Sequence, residues 1–139
     1  MEIILDADVI ISGEKNVFDL RGWLESRAED QFELAAITIA ELWDGVERAS
    51  GTRRTMRKNY FEAIVAALPI IAYTEETAFV HASIWSNLEA SGKLIGAYDL
   101  IVAATALQRG SALATFNRRH FSEVAGLKII EPKLIAETT

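Results

Sequence analysis

The chain has 139 residues, half of them hydrophobic, with a net charge of −6 and no cysteine. That apolar content excludes disorder, and the length suits one domain over residues 1–139. The missing cysteines exclude disulfides, thiol nucleophiles and cysteine-ligated zinc or iron–sulfur sites, and the negative total argues against a uniformly basic nucleic-acid surface.

In chain order, residues 2–5 read as a short buried strand ending at Asp6, with Asp8 two positions on, in "IILDADVIIS". A helical segment is expected through "VFDLRGWLESRA" and a second strand through "FELAAI". Thr38 follows, and "IAELWDGVERA" carries apolar residues at 39, 42, 43 and 46, the spacing of a helix. Another helix fits "RKNYFEAIVAAL", stopped by Pro69, and "PIIAY" is a short third strand. "TEETAFVHASIWSNLEASG" is helical to a glycine cap at Gly92. "DLIVAATALQRG" is a strongly apolar helix ending at Gly110, "SALATF" a fourth strand, and "LKII" a last one before Pro132. Trp43 and Trp85 fall on apolar helix faces and read as core, as does His81. The amino terminus has an acid at position 2 and does not read as a secretory signal, and the longest uncharged stretch, "AIVAALPIIAYT", is too short to cross a bilayer. The expectation is a cytoplasmic protein.

Short strands, apolar on both faces and separated by helices, imply a parallel sheet covered on both sides, an α/β fold. Ligands of such sheets bind at the carboxyl ends of the strands. Asp6 and Asp8 follow the first strand, Thr38 and Glu41 the second, Asp99 opens the helix leading to the fourth, and Thr115 and Asn117 close that strand. A parallel sheet would gather them on one edge. Each has a plainer reading: Asp6 as a helix cap, Asp8 and Asp99 as first-turn acids facing the helix dipole, Asn117 as a turn residue. "TIAE" has the spacing of a capping box between Thr38 and Glu41, and on spacing alone that reading comes first. The case for a site rests on convergence. Carboxylates brought that close repel unless a cation lies between them, and hard oxygen donors without His or Cys suit Mg²⁺ or Mn²⁺.

The opening Asp-x-Asp is similar to the first motif of haloacid-dehalogenase-like phosphatases, in which the first aspartate is the nucleophile. That family also uses a lysine and a late acidic pair. After Asp99 this chain has only Glu123, Glu131 and Glu137, and only Lys128 and Lys133. A receiver-like domain phosphorylated on Asp6 fits poorly, since its acceptor follows a middle strand. A non-catalytic scaffold with a dead site is opposed by the intact trio Asp6, Glu41 and Asp99. A resemblance covering residues 3 to about 132 is carried by "ILDADVII", "ITIAELWDGVERA", "AYDLIVAATALQRG", "LATFNRRHF" and "GLKIIEP". In order and spacing these motifs resemble PIN-domain proteins, above all the VapC-type ribonuclease toxins of type II toxin–antitoxin modules.

The resemblance implies a three-layer α/β/α sandwich with a short parallel sheet and Mg²⁺- or Mn²⁺-dependent hydrolysis of RNA. It implies metal-site acids at Asp6, Glu41 and Asp99, with Asn117 in a fourth place often held by aspartate. Asp8 and Thr115 are supporting residues. Arg118 and Arg119, just after Asn117, are candidate RNA contacts, and the basic run at 53–58 is a candidate surface for RNA or an acidic partner. His120 reads as a substrate contact or surface residue. The resemblance further implies a homodimer, a cognate antitoxin bound to it as a heterotetramer or larger, and a basic antitoxin side chain entering the acidic site.

Overall fold

A computed structural model describes residues 1–133; residues 134–139, with Glu137 and the end of the expected domain, lie outside the described residues. The elements run β1 (Glu2–Leu5), α1 (Ala7–Glu14), α2 (Leu20–Ser26), β2 (Gln31–Ala35), α3 (Ala36–Arg48) and α4 (Gly51–Ala67). They continue as β3 (Ile70–Ile71), α5 (Glu75–Ala90), α6 (Ala97–Arg109), β4 (Ala112–Ala114), α7 (Arg118–Phe121) and β5 (Ile129–Ile130). The strands form one sheet in the order β3-β2-β1-β4-β5, with every pairing parallel.

Strand periodicity sorts the core into two layers, because successive side chains alternate between the faces. Ile3 and Leu5 face α1, α3 and α4, together with Leu34, Leu42, Val46 and Phe61. Ile4 faces the other way, with Leu113, onto Ile84 and Leu88 of α5, Leu100 and Val102 of α6, and Phe121 of α7. All of β1 beyond Glu2 is inaccessible, as an apolar strand in the middle of a covered sheet must be. This is the α/β/α sandwich expected from the sequence.

One carboxylate breaks the apolar pattern. Glu33 pairs with Ile4 across β1 and β2, so it points into the α5–α6 layer, where it is 2% exposed. Arg109 at the end of α6 answers it, with Nη2 2.6 Å from Oε2, and Ser111 Oγ donates to Oε1 at 3.1 Å. Removing either donor would leave a buried charge underpaired.

The sheet order creates the crevice that matters. The chain leaves β1 for β2 and β3 on one side, then returns to β4 on the other side of β1. Leu5 is in register with Ala114, so the residues that follow them emerge side by side at the carboxyl edge. Among the described residues no helix is long and apolar enough to cross a membrane.

Some sequence expectations shift. The helix expected from residue 57 begins at Gly51, so "RRTMRK" is helical. Trp85 is 52% exposed rather than core, while Trp43 is partly buried against the α3–α4 layer. His81 is half-buried, bonded to the Tyr73 hydroxyl at 2.8 Å and stacked on Trp85. Leu113→Ala should lower unfolding free energy by about 2–5 kcal/mol, the usual cost of truncating a fully buried leucine. Urea denaturation checks this, and a loss below about 1 kcal/mol would contradict the packing described.

Candidate active site

Asp6 ends β1 and is the N-cap of α1; its backbone N–H donates to Ala114 O at 2.9 Å, which seats it against β4. It is 4% exposed, with its two oxygens doing different work. Oδ1 accepts from the Ala7 backbone N–H at 2.9 Å, and Oδ2 accepts from Thr115 Oγ1 at 2.8 Å. Capping and convergence are therefore both true of this side chain.

Thr115 is the knot of the site. It is fully buried, and besides donating to Asp6 its oxygen accepts the Asn117 backbone N–H at 2.9 Å. Asp8 Oδ2 lies 3.3 Å from the same hydroxyl and accepts the Phe116 backbone N–H at 3.1 Å. One hydroxyl proton cannot serve two carboxylates fully, and the shorter contact goes to Asp6. Asp8 Oδ1, buried, has no partner.

Glu41 is released by a correction to the sequence reading. β2 runs straight into α3, whose N-cap position is Ala35, with no side-chain cap. Ala35 still pairs with Ile71 in the sheet, so the helix starts ahead of Thr38. Thr38 lies inside the first turn, fully buried with its hydroxyl unpartnered, and no capping box forms. Glu41 projects a turn further on, half-buried, with Oε1 unpartnered. Asp99 sits in the first turn of α6, with Oδ2 3.7 Å from His120 Nδ1.

These acids sense one another. Burial first, then Asp8, Asp99 and Glu41, push the Asp6 carboxyl up to about 8 against the opposing Thr115 hydrogen bond. Burial, then Asp99 and Asp8, raise Glu41 to about 7. Asp8 is raised by burial and by Asp99, against hydrogen bonds from Phe116 and Thr115. Asp99 is raised by burial and eased downward by His120. The site holds more negative charge than its own donors can satisfy.

That excess, and the buried unpartnered oxygens of Asp8 and Glu41, fit a hard divalent cation. Among the described residues no three His, Asp or Glu side chains already surround one point as a finished cage.

The remaining candidates separate. The Asn117 amide contacts His120, with Nδ2 2.9 Å from Nδ1. Arg118 and Arg119 are exposed on α7, and Arg118 Nε is 3.7 Å from Glu131. The basic run on α4 is largely neutralised: Arg54 pairs with Glu47, Arg57 with Glu14 and Lys58 with Glu62. His120 stands closer to the acids than its sequence reading placed it; its spacing of three from Asn117 was the available signal.

Residues 3–127 match the PIN domain family. The chain is 34% identical over 136 residues to a VapC ribonuclease, Y4jK, of Sinorhizobium fredii, covering 94% of this chain and 96% of that one. The fold is similar to VapBC2 from Rickettsia felis bound to a promoter DNA fragment, with TM-score 0.86, 23% identity, and 94% of this chain and 98% of that one covered. It is also similar to FitAcB from Neisseria gonorrhoeae, with TM-score 0.79, 29% identity, and 94% and 97% covered.

The raised acids make stability depend on pH. A carboxyl whose folded pKa lies above its unfolded value binds protons more tightly when folded, so its stabilising effect is complete below about 4 and is lost as pH climbs through the folded value. In divalent-free buffer the melting temperature should fall between pH 5 and pH 8.5, across the window set by Glu41 near 7 and Asp6 near 8. Asp6→Asn should flatten that fall, and Mg²⁺ or Mn²⁺ should raise the melting temperature most at the alkaline end. A wild-type profile as flat as the variant's would show that Asp6 is not held as described.

Proposed function

Because this chain belongs to the PIN-domain family, within its VapC group, we propose that it is the ribonuclease toxin of a toxin–antitoxin pair, with residues 1–139 as one PIN-like domain. The observation that supports this reading best is the convergence of Asp6, Glu41 and Asp99, three separate motifs, on one electrostatically strained edge.

PIN-domain nucleases are generally divalent-metal-dependent, and Mg²⁺ or Mn²⁺ is the ion that this donor set suits. Asp6, Glu41 and Asp99 would hold it, with Asp8 and Thr115 in support. When bound, it would lower the pKa of water and offset charge on the phosphate oxygens. Thr115 keeps Asp6 pointed into the crevice. Glu41, whose Oε1 has no partner, is the group assigned to take the proton of the attacking water, while Asp99 is engaged by His120. Arg118 and Arg119 flank the edge where the phosphate backbone would lie. In-line attack would leave a 5′-phosphate and a 3′-hydroxyl. Asn117 supports the site through its contact to His120.

The same excess charge suits the partners. The solved relatives are VapBC and FitAcB assemblies, and this chain is assigned a cognate antitoxin, a homodimeric core and a heterotetramer or larger with it. A basic antitoxin side chain among the carboxylates would do electrostatically what the metal does.

Induced wild type should arrest growth and cleave RNA with Mg²⁺ or Mn²⁺ but not in EDTA. Asp6→Ala and Asp99→Asn should each lose about a hundredfold or more in cleavage. Metal stabilisation is worth several kcal/mol, and about 1.4 kcal/mol is tenfold. Full activity in EDTA, or in both variants, would sink the mechanism. A phosphatase using Asp6 as nucleophile would instead hydrolyse p-nitrophenyl phosphate and trap an aspartyl phosphate.

A further inference from the structure

The outer side of α5 does not have the composition of a helix face in water. Thr77, Ile84 and Leu88 are its buried side, with Ile84 and Leu88 in the layer shared with α6. The opposite side of such a helix ordinarily carries charge. Here no Asp, Glu, Lys or Arg occurs between Glu76 and Glu89. Phe79 is 71% exposed and Trp85 52%, and Ala82 between them is exposed as well. Residues three apart on a helix are neighbours, so Phe79, Ala82 and Trp85 form one line. Leu94, which shares an apolar groove with Trp85 between α5 and α6, is 66% exposed and extends the surface.

Charge argues against a nucleic acid on this face. Phosphate binding uses cations. The charges that border the face are Glu75, Glu76 and Glu89, and Lys93 is engaged by Glu123 at 3.1 Å. Aromatic side chains gathered where charge is depleted are the composition of a protein interface core.

The spacing also selects the partner. Ala82 lies midway between the two aromatics, so the line reads large, small, large in either direction. A two-fold axis at Ala82, with the paired α5 helices antiparallel, sets Phe79 against the partner subunit's Trp85, and Trp85 against the partner subunit's Phe79. The small side chain at the centre lets the helices approach to the usual 8–10 Å or so. Phe79, Trp85 and Leu94 from each copy, with the 16-residue length of α5, supply the roughly 1,000 Å² that a specific interface needs.

We propose that the α5 face centred on Ala82 is where a second copy of this chain docks, two-fold and antiparallel, with Phe79 packed on the partner subunit's Trp85. The proposal rests on the homodimeric core assigned above and names its surface and register. The ribonuclease reading does not depend on it.

The absence of cysteine from the chain makes the register measurable. A residue on a two-fold axis meets its own copy, and a disulfide needs Cα atoms within about 7 Å. Ala82→Cys in the full chain should therefore give a disulfide-linked dimer under mild oxidation. Asn87→Cys, exposed on the other flank of α5 beside Val124, should not. In sedimentation of the full chain, wild type should be dimeric at micromolar concentration. Ala82→Arg should weaken association by about a hundredfold or more, and Phe79→Ala should weaken it in the same direction. Circular dichroism should show wild-type helix content in each variant. If Ala82→Arg does not fold, Phe79→Ala and the two cysteine variants carry the test.

A wild type that stays monomeric overturns the homodimer and this surface together. A dimer that Ala82→Arg leaves intact and Ala82→Cys does not link overturns the surface and leaves the homodimer standing. Equal linking through Asn87→Cys overturns the register. Loss of affinity for a labelled oligoribonucleotide in Phe79→Ala and Trp85→Ala, with the dimer unchanged, would make the face a stacking platform for bases and overturn the proposal.

Discussion

A single hydroxyl proton holds the acidic edge together. Thr115 Oγ1 is fully buried, donates to Asp6 at 2.8 Å, lies 3.3 Å from Asp8, and accepts the Asn117 amide at 2.9 Å. It can do this only because Leu5 and Ala114 are in register at the centre of the sheet, so β1 and β4 deliver Asp6 and Thr115 to neighbouring points. Two apolar layers on either side of β1 fix that register, since a one-residue slip would turn Ile3, Ile4 and Leu5 to the wrong faces. Core packing and site geometry are one constraint seen at two ends of the same strands.

Much of this was legible from the chain. Asp6, Glu41, Asp99 and Thr115 follow strands or open helices, and a parallel sheet has one carboxyl edge, so strand order alone predicts that they meet. The apolar runs around Ile4 and Leu113 announced fully buried strands because both faces are covered. Other features depend on distances along a fold that no local pattern carries. Thr38 and Glu41 have the spacing of a capping box, but the pairing of Ala35 with Ile71 decides where β2 stops, and the helix begins at Ala36, upstream of Thr38. Trp85 sits at core spacing on a helix whose outer face the described chain does not cover. Arg57 looked like part of a basic patch until the fold brought Glu14 to within 2.8 Å of it.

The loss of the expected cap has a functional consequence. A capping glutamate is satisfied by backbone N–H groups, which would favour its charged form and tie up its oxygens. Glu41 instead keeps an unpartnered oxygen and an acidity weakened by burial and by Asp99. Local propensity is overridden here, and on the proposed reading Glu41 is the kind of functional position at which such a conflict with sequence rules is expected.

The charge count sets what can occupy the crevice. Asp6, Asp8, Glu41 and Asp99 all stand above their ordinary acidity ranges, and the donors aimed at them are one hydroxyl, backbone N–H groups of residues 7 and 116, and the edge of His120. The structure can relieve the strain by taking up protons or by admitting a cation from outside. On the proposed reading, a divalent ion and a basic inhibitor side chain would satisfy the same deficit and so would compete for one set of oxygens. Asn117 keeps this balance from tipping further. A fifth carboxylate in place of the Asn117 amide would deepen that deficit, whereas the amide adds no charge.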